Sequence, residues 1–336
     1  MSTAYLPDAI LGIAAFVASC AGVRMLIGYL TRKAILDHPV HRSSHSTPTP
    51  RGGGLAVSAS VIVAWAVIQF LTPVAGTVFL IGAALLLVLV SWRDDVHSLS
   101  AGLRLGIQSV AVAVGLVWLT GQGLVFQGFL PHWADLFVSA LLWLGFLNFF
   151  NFMDGIDGIS AVEAGAIALG LSLIAYLRLD TGLSADDGPY ALVILAAAAG
   201  FAVWNWHPAR IFLGDVGSIP IGFLLGALLL GLAARGAWAP ALILPLYYLT
   251  DAGITLSRRA LRGEAVWRAH KEHFYQRAVQ RGFSHAQVST AILVANTILV
   301  ALAFFATSYP VPCLVGAIVT TALLLLWMVK WPVVSS

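Results

Sequence analysis

Long apolar runs, each of about 17 to 23 residues, recur from one end of the chain to the other. A helix of about 20 residues crosses roughly 30 Å of hydrocarbon, so this pattern predicts about eleven transmembrane helices. The ninth is the least regular, because Pro240, Pro245 and Asp251 interrupt it. The predicted spans are 7 to 29, 53 to 72, 75 to 92, 103 to 121, 134 to 152, 159 to 177, 189 to 206, 217 to 234, 238 to 257, 287 to 307 and 313 to 331.

The composition supports an all-α, polytopic integral membrane bundle. The 336 residues are 60% hydrophobic and only 10% charged, which excludes an ordinary soluble domain. Cys20 and Cys313 stand alone in apolar stretches, so neither a disulfide framework nor a thiolate metal site is expected. The first apolar run lacks a basic start and a cleavage site, and we interpret it as a retained span. Residues 1 to 336 are expected to form a single membrane-embedded domain.

The basic residues fall on one side of the membrane when the spans alternate. Only Arg178 and Arg235 lie on the other side, so the positive-inside rule predicts a cytoplasmic basic side and an outside N-terminus. We expect an active site on the cytoplasmic face, in segments 37–54, 92–104, 148–160, 204–218 and 258–286. The basic residues of that side are Arg32, Lys33, Arg42, Arg51, Arg93, Arg210, Arg258, Arg259, Arg262, Arg268, Lys271, Arg277 and Arg281.

Paired acids end the third predicted span, in the sequence WRDDV. Neighbouring residues on a helix point about 100° apart, so Asp94 and Asp95 need not share a task. One could coordinate a metal while the other contacts a phosphate-bearing lipid. The alternative is a pair of solvated loop acids balanced by Arg93 and Arg104.

A polar stripe follows the fifth predicted span, in NFFNFMDGIDGIS. Asn148, Asn151, Asp154 and Asp157 recur every three residues, which places them on one face of a helix end. The glycines beside the two acids permit close approach of a ligand. Burying such a stripe without partners would be costly, so a ligand site is expected; the alternative is an interfacial helix cap.

A third polar segment, NWHPARIFLGDVGS, precedes the eighth predicted span. Asp215 lies between glycines at a predicted helix start, where backbone N–H groups can meet a phosphate while the acid holds a cation. Asn205 and Phe212 could supply an amide and a stacking face for a base. The alternative is a turn in which Asp215 caps the helix.

Histidines and arginines define the last two segments. His270 and His273, in RAHKEHFYQR, are predicted to share a helical face. The basic residues around them would attract the phosphates of a substrate. A zinc site lacks a clear third ligand there, and a basic loop resting on anionic headgroups is an alternative. His45 and Arg51, in HSTPTPRGGG, could clamp a lipid phosphate, or they belong to an ordinary connector.

Together these five motifs, in this order between residues 37 and 285, resemble the polyprenyl-phosphate N-acetylhexosamine-1-phosphate transferases, glycosyltransferase family 4. The resemblance implies transfer of a sugar-1-phosphate from a UDP-amino sugar to undecaprenyl phosphate, with release of UMP. The resemblance also implies that the enzyme requires Mg²⁺ as a cofactor, which Mn²⁺ could replace. The H-x-x-H-x-Y-Q-R loop is similar to the branch that initiates O-antigen, common-antigen or teichoic-acid chains rather than to the peptidoglycan-precursor branch.

The resemblance also implies roles for individual residues. Asp215 is the leading metal ligand, with Asp95 and Asp154 as further ligands, and Asp94 and Asp157 complete the catalytic acids. The implied partners are a UDP-amino sugar, undecaprenyl phosphate and lipids of a bacterial inner membrane; no nucleic acid is expected, and a homodimer is left open. Substrate-binding residues are His45, Arg51, Asn148, Asn151, Asn205, Phe212, His270 and His273.

A secondary transporter is the alternative from another functional class. Transporters place coupling acids near the bilayer midplane, and Glu163 and Asp251 lie closest to span interiors. The other acids are predicted at cytoplasmic ends, which favours the transferase. A phospholipid head-group transferase would require a D-G-x-x-A-R motif that DGIDGIS does not provide.

Overall fold

The computed structural model describes residues 6 to 37, 47 to 177, 187 to 267 and 270 to 330. Within these ranges the chain forms thirteen helices and two strands of two residues each. The elements are α1 (Leu6–Arg32), β1 (Leu36–Asp37), β2 (Thr49–Pro50), α2 (Gly54–Leu71), α3 (Thr77–Val96), α4 (Ala101–Leu119), α5 (His132–Phe152), α6 (Ile159–Leu177), α7 (Gly188–Asn205), α8 (Asp215–Ala234), α9 (Trp238–Ile243), α10 (Leu246–Leu261), α11 (Phe274–Gln280), α12 (His285–Ala306) and α13 (Pro310–Lys330).

Ten of the helices in the described ranges are long and apolar enough to cross a membrane. They correspond to ten of the eleven predicted spans and confirm an all-α, polytopic membrane protein. Many large apolar side chains of these helices are exposed, as lipid-facing residues would be. We call the end of the bundle at which α2, α4, α6, α8 and α12 begin the site face, and the opposite end the distal face.

The ninth predicted span is divided into two helices. α9 has only six residues and α10 begins directly after Pro245, whose ring cannot continue a helix without losing a backbone hydrogen bond. α8 ends at the distal face, where Arg235 pairs with Asp187, and α12 begins at the site face. Together, α9 and α10 therefore carry the chain from the distal face back to the site face.

The central helix is α8, which is buried along almost its whole length. Its glycines allow α5 to approach closely: a Cβ on Gly226 would lie 2.8 Å from Trp143. The Trp143 indole stacks on Phe223 at 4.8 Å and donates to the Phe223 carbonyl at 2.8 Å. This packing fixes the start of α8 in the middle of the site face.

The glycines of the RGGG motif bring a second segment against that helix start. A Cβ on Gly54 would lie 2.2 Å from the Gly217 Cα, and Gly52 has a φ of 119° that favours glycine. The N–H groups of Gly53 and Gly54 donate to the carbonyls of Phe212 and Leu213 at 2.9 and 2.8 Å. Residue 51 is thereby held beside residue 215.

Candidate active site

A cluster of acids and arginines occupies the centre of the site face. Arg51 Nη2 lies 3.0 Å from Asp95 Oδ1 and 2.8 Å from Asp215 Oδ1. Arg104 Nη1 lies 3.0 Å from Asp94 Oδ2 and 3.4 Å from Asp215 Oδ2. Three motifs that are far apart in the sequence therefore meet around the carboxylate of Asp215.

The cluster holds more acid than base among the described residues. Burial opposes the charge of Arg51, but Asp95 and Asp215 raise the pKa of its guanidinium above the ordinary value. The carboxylates of Asp94 and Asp215 contact the same nitrogen, Nη1 of Arg104. Burial raises the pKa of Asp154 to about 6, against the hydrogen bond that Ser160 donates at 2.6 Å. Such crowded carboxylates suit a cation.

Asp95 caps the N-terminus of α8 from a different helix. Its carboxylate accepts hydrogen bonds from the backbone N–H groups of Asp215 at 3.2 Å and Val216 at 3.0 Å. A carboxylate is favoured there because the helix start carries partial positive charge. The expectation that these N–H groups are free to meet a phosphate therefore needs correction, since Asp95 already occupies them.

Asp94 points to other partners, as the helical geometry predicts. Its carboxylate accepts a hydrogen bond from Leu99 N at 2.6 Å and pairs with Arg104, which fixes the turn between α3 and α4. The side chains of Asp94 and Asp95 are only 10% and 2% exposed. The alternative interpretation, a pair of solvated loop acids, does not describe this site.

The predicted polar stripe is only half helical. α5 ends at Phe152, so Asn148 and Asn151 lie on the helix, whereas Asp154 and Asp157 lie in the following loop. Met153 is the C-cap of α5, and Gly158, whose φ of 81° favours glycine, lies in the loop before α6. Asn148 Nδ2 donates to Gln108 Oε1 at 2.9 Å, and Asn151 Oδ1 accepts a hydrogen bond from Ser218 at 2.5 Å.

Asp157 is turned away from the acidic cluster. Its carboxylate lies 2.6 Å from His207 Nδ1 and 3.2 Å from His285 Nδ1, and it accepts the N–H of Ala209 at 3.1 Å. Burial opposes the charge, but the histidines and this N–H lower the pKa of Asp157. His285 was not among the residues predicted to belong to the site; the available signal was a histidine at the start of a span on the predicted cytoplasmic side.

The two residues proposed for base recognition lie between α7 and α8: Asn205 is the last residue of α7, and Phe212 lies in the loop that follows. Asn205 Oδ1 accepts the N–H of Gly158 at 2.9 Å, and Asn205 Nδ2 donates to the Ile211 carbonyl at 2.9 Å. The backbone of Phe212 pairs with that of Arg51, and the Phe212 side chain is partly buried. His45 lies outside the described residues.

The two loop histidines lie close together but not on a helix. α11 begins only at Phe274, because Asp251 accepts the N–H groups that start it, so the predicted helical face for His270 and His273 is wrong. Their rings are nevertheless 4.8 Å apart. Burial and the neighbouring His273 lower the pKa of His270 to about 4. Nε2 of His273 is buried without a partner among the described residues.

An apolar cavity of about 640 Å³ opens between α4, α5 and α10 beside the cluster. Leu105, Leu141, Leu144 and Leu256 line its apolar part. Arg104 and Asn151 line its polar part, and Arg104 also contacts the acids. The cavity therefore connects a lipid-like environment to the charged centre.

Comparisons with known proteins agree with this arrangement. The family model described as glycosyl transferase family 4 matches residues 77–233. The chain is 29% identical over 288 residues to the probable undecaprenyl-phosphate N-acetylglucosaminyl 1-phosphate transferase of Bacillus subtilis (strain 168), covering 81% of this chain and 78% of the relative. It is 28% identical over 308 residues to the decaprenyl-phosphate N-acetylglucosaminephosphotransferase of Mycobacterium tuberculosis (strain CDC 1551 / Oshkosh), covering 79% and 73%.

A third relative matches over a shorter stretch. The phospho-N-acetylmuramoyl-pentapeptide-transferase of Synechococcus sp. (strain RCC307) is 32% identical over 207 residues, or 56% of each chain. These similarities, with the motifs converging at the site face, favour a transferase over a transporter. The chain belongs to glycosyl transferase family 4, the polyprenyl-phosphate N-acetylhexosamine-1-phosphate transferases.

Proposed function

We propose that this protein transfers an N-acetylhexosamine-1-phosphate from a UDP-sugar to undecaprenyl phosphate, giving an undecaprenyl-diphosphate sugar and UMP. The observation that carries the proposal is the position of Arg104. Its guanidinium contacts Asp94 and Asp215 and also lines the apolar cavity. A lipid phosphate whose prenyl chain lies in that cavity would reach the acidic cluster at the same residue.

A groove open to the bilayer suits the acceptor. Each buried CH₂ of a lipid chain contributes about 0.8 kcal/mol, so a long prenyl chain stays in an apolar environment. Arg104 and Asn151 can donate hydrogen bonds to a phosphate at the polar end of the cavity. The UDP-sugar would approach from water, with Asn205 and Phe212 at its nucleoside and His270 and His273 at its sugar diphosphate.

The chemistry joins two anions and needs local positive charge. The second pKa of a phosphate monoester is about 6, so the acceptor is mostly dianionic at pH 7 and a strong general base is unnecessary. We therefore favour direct attack of an acceptor oxygen on the β-phosphorus, with UMP as the leaving group. Asp94 orients Arg104 toward the acceptor, and Arg51 stabilises charge beside Asp215.

The carboxylates fit Mg²⁺, with Mn²⁺ as the expected substitute. Asp215 is its proposed main ligand, with Asp154 and Asp95 as further ligands. The Asp95 carboxylate also accepts two N–H groups of α8, which fixes its position beside Asp215. One or two carboxylates with substrate phosphates are the usual ligands of Mg²⁺ in proteins. When bound, the ion would neutralise charge that develops on the leaving nucleotide.

The pathway proposal rests on the loop histidines. The H-x-x-H-x-Y-Q-R sequence of residues 270 to 277 lacks consecutive histidines, which favours initiation of O-antigen or a related envelope glycan. The proposed location is the bacterial inner membrane, with the site face in the cytoplasm.

Transfer of labelled sugar-phosphate tests the proposal directly. Purified protein should convert UDP-N-acetylhexosamines and undecaprenyl phosphate into labelled lipid and UMP in the presence of Mg²⁺, and the Asp215→Asn variant should not. A folded wild-type preparation that releases no UMP with any donor of a broad panel would overturn the proposal. A phosphorylated enzyme formed with the donor alone would refute direct displacement only.

A further inference from the structure

Asp157 joins three segments of the site face. The carboxylate contacts His207 and the N–H of Ala209 in the loop before α8, and His285 at the start of α12. Its carbonyl accepts a hydrogen bond from Ser289 at 2.7 Å, one helical turn after His285. The polar atoms of Asp157 are thus engaged inside the protein, and its side chain is only 7% exposed.

The three side chains could also be considered as a metal site. Asp157, His207 and His285 offer ligand atoms within 4.8 Å of one another. Two ligands about 2.0 to 2.1 Å from one tetrahedral ion would lie roughly 3.3 Å apart. The 2.6 Å between Asp157 Oδ2 and His207 Nδ1 is shorter than that and is a hydrogen-bond distance. The geometry therefore favours a hydrogen-bonded clamp.

The clamp lies directly behind the proposed nucleotide pocket. Residue 158, next to Asp157, donates its N–H to Asn205 Oδ1. Asn205 in turn donates to the carbonyl of residue 211, which precedes Phe212. A shift of the Asp157 backbone would therefore move Asn205 and the loop that leads to Phe212. The backbone of Phe212 is also hydrogen-bonded to residues 50 to 53, and Arg51 contacts Asp215 independently of Asp157.

We propose that His285 is a positioning residue for nucleotide binding: with Ser289 it fixes Asp157, and through the Gly158–Asn205 hydrogen bond it fixes the pocket for the nucleoside. This inference rests on the proposed function, because it assigns a nucleotide to the Asn205 and Phe212 side of the site. The acceptor groove and the acid cluster do not depend on it.

The test compares four variants with the wild type. His285→Ala should weaken UMP binding, and raise the KM for the UDP-sugar, roughly tenfold, as expected for losing one hydrogen bond to a charged group. The KM for undecaprenyl phosphate and the Mg²⁺ requirement should not change. His285→Asn should restore most of the affinity, because its amide oxygen can accept the Asp157 N–H and its amide nitrogen can donate to the Asp157 carboxylate, the two groups that Nδ1 of His285 contacts. Ser289→Ala should give a smaller loss.

Gln287→Ala is the matched control. Gln287 closes the capping box at the start of α12 with Ser284 and is exposed, so its loss loosens the same helix end without touching Asp157. UMP affinity should stay at the wild-type value in this variant. Equal losses in Gln287→Ala and His285→Ala would show a general effect of the helix start and overturn the inference.

Two further results separate this inference from the proposed reaction. If the wild type binds UMP but transfers no sugar-phosphate, the proposed function fails while the comparison of UMP affinities still tests His285. If the wild type binds no uridine nucleotide, the pocket and the inference are both wrong. One equivalent of zinc in the purified protein, lost in His285→Ala, would replace the clamp with a metal site.

Discussion

Asp251 Oδ1 lies 3.0 Å from Nδ1 of His273, and both side chains are buried. The same carboxylate accepts the backbone N–H groups of Phe274 at 3.0 Å and Tyr275 at 3.3 Å, so it starts α11 as well as orienting the imidazole. Asp251 was one of two acids that a transporter hypothesis would use. Its contacts instead tie the last loop of the site face to α10.

Replacing Asp251 with asparagine should damage both the fold of this loop and the reaction. An amide oxygen accepts hydrogen bonds from neutral and backbone donors more weakly than a carboxylate, so we expect a loss of about 1 to 3 kcal/mol in unfolding free energy. Turnover per folded molecule should fall at least roughly tenfold because His273 loses its orientation. Thermal unfolding and initial rates measure the two effects.

Asp135→Asn provides a control with similar geometry. Asp135 is buried and accepts the N–H groups of Val125 and Phe126 on the distal face, far from the cluster. Its substitution should lower stability by a similar amount and leave turnover per folded molecule unchanged. If both variants lost turnover equally, His273 would have no special dependence on Asp251.

Substitution of Asp95 should mainly lower stability, whereas substitution of Asp215 should mainly lower turnover. Asp95→Asn weakens the cap on α8 and the contact with Arg51, so unfolding free energy should fall by about 1 to 3 kcal/mol. Asp215→Asn should remove turnover by at least roughly a hundredfold while stability changes less. Chemical unfolding measures the stability of the two variants, and transfer assays measure their turnover. A wild-type transfer rate in Asp215→Asn would show that Asp215 is not the main catalytic acid.

A bulky side chain at Gly145 should obstruct the acceptor groove. Gly145 lines the cavity, and a Cβ there would meet nothing within 4 Å, so phenylalanine can be accommodated without a clash at its base. Gly145→Phe should raise the KM for undecaprenyl phosphate roughly tenfold, since filling the groove removes contacts worth about one to two buried methylene groups. The KM for the UDP-sugar should not change.

Gly82→Phe is the corresponding control on α3. Gly82 is exposed, and its Cβ position is equally open, but it does not line the cavity. Both KM values should stay at their wild-type levels in this variant. An unchanged acceptor KM in Gly145→Phe would place the prenyl chain elsewhere.

Glu163 should be replaceable by glutamine. Glu163 Oε2 accepts a hydrogen bond from Asn296 Nδ2 at 2.7 Å, while Oε1 and Asn296 Oδ1 have no partner among the described residues. A proton on Glu163 would complete a reciprocal acid–amide pair, and glutamine can form the same pair. Glu163→Gln should therefore retain stability and transfer, whereas Asn296→Leu should cost about 1 to 3 kcal/mol by leaving a buried carboxyl unpaired.

Infrared spectra test the protonation itself. The wild type should show the carbonyl band of a protonated carboxylic acid, and Glu163→Gln should lack it. Loss of all transfer activity in a folded Glu163→Gln variant would contradict a purely structural pair.

The site shows where sequence reasoning stops. Asp94, Asp95 and Asp215 stand out in the sequence because a charged residue beside an apolar span is costly without a purpose. The different roles of these acids cannot be predicted from the sequence: Asp95 caps α8, whereas Asp215 contacts both Arg51 and Arg104. His285 drew no attention because one histidine at a span start is unremarkable until its partner, 128 residues earlier, is known.

The sequence by itself determined the membrane bundle, the approximate positions of ten spans and the family. Hydropathy and motif order suffice for these features because the bilayer imposes a length on every span and makes acids rare within spans. The tertiary structure alone decided that Arg51 reaches Asp215, 164 residues away, through the contact between Gly54 and Gly217. Such pairings depend on how helices pack, and no local pattern records which helix lies beside which.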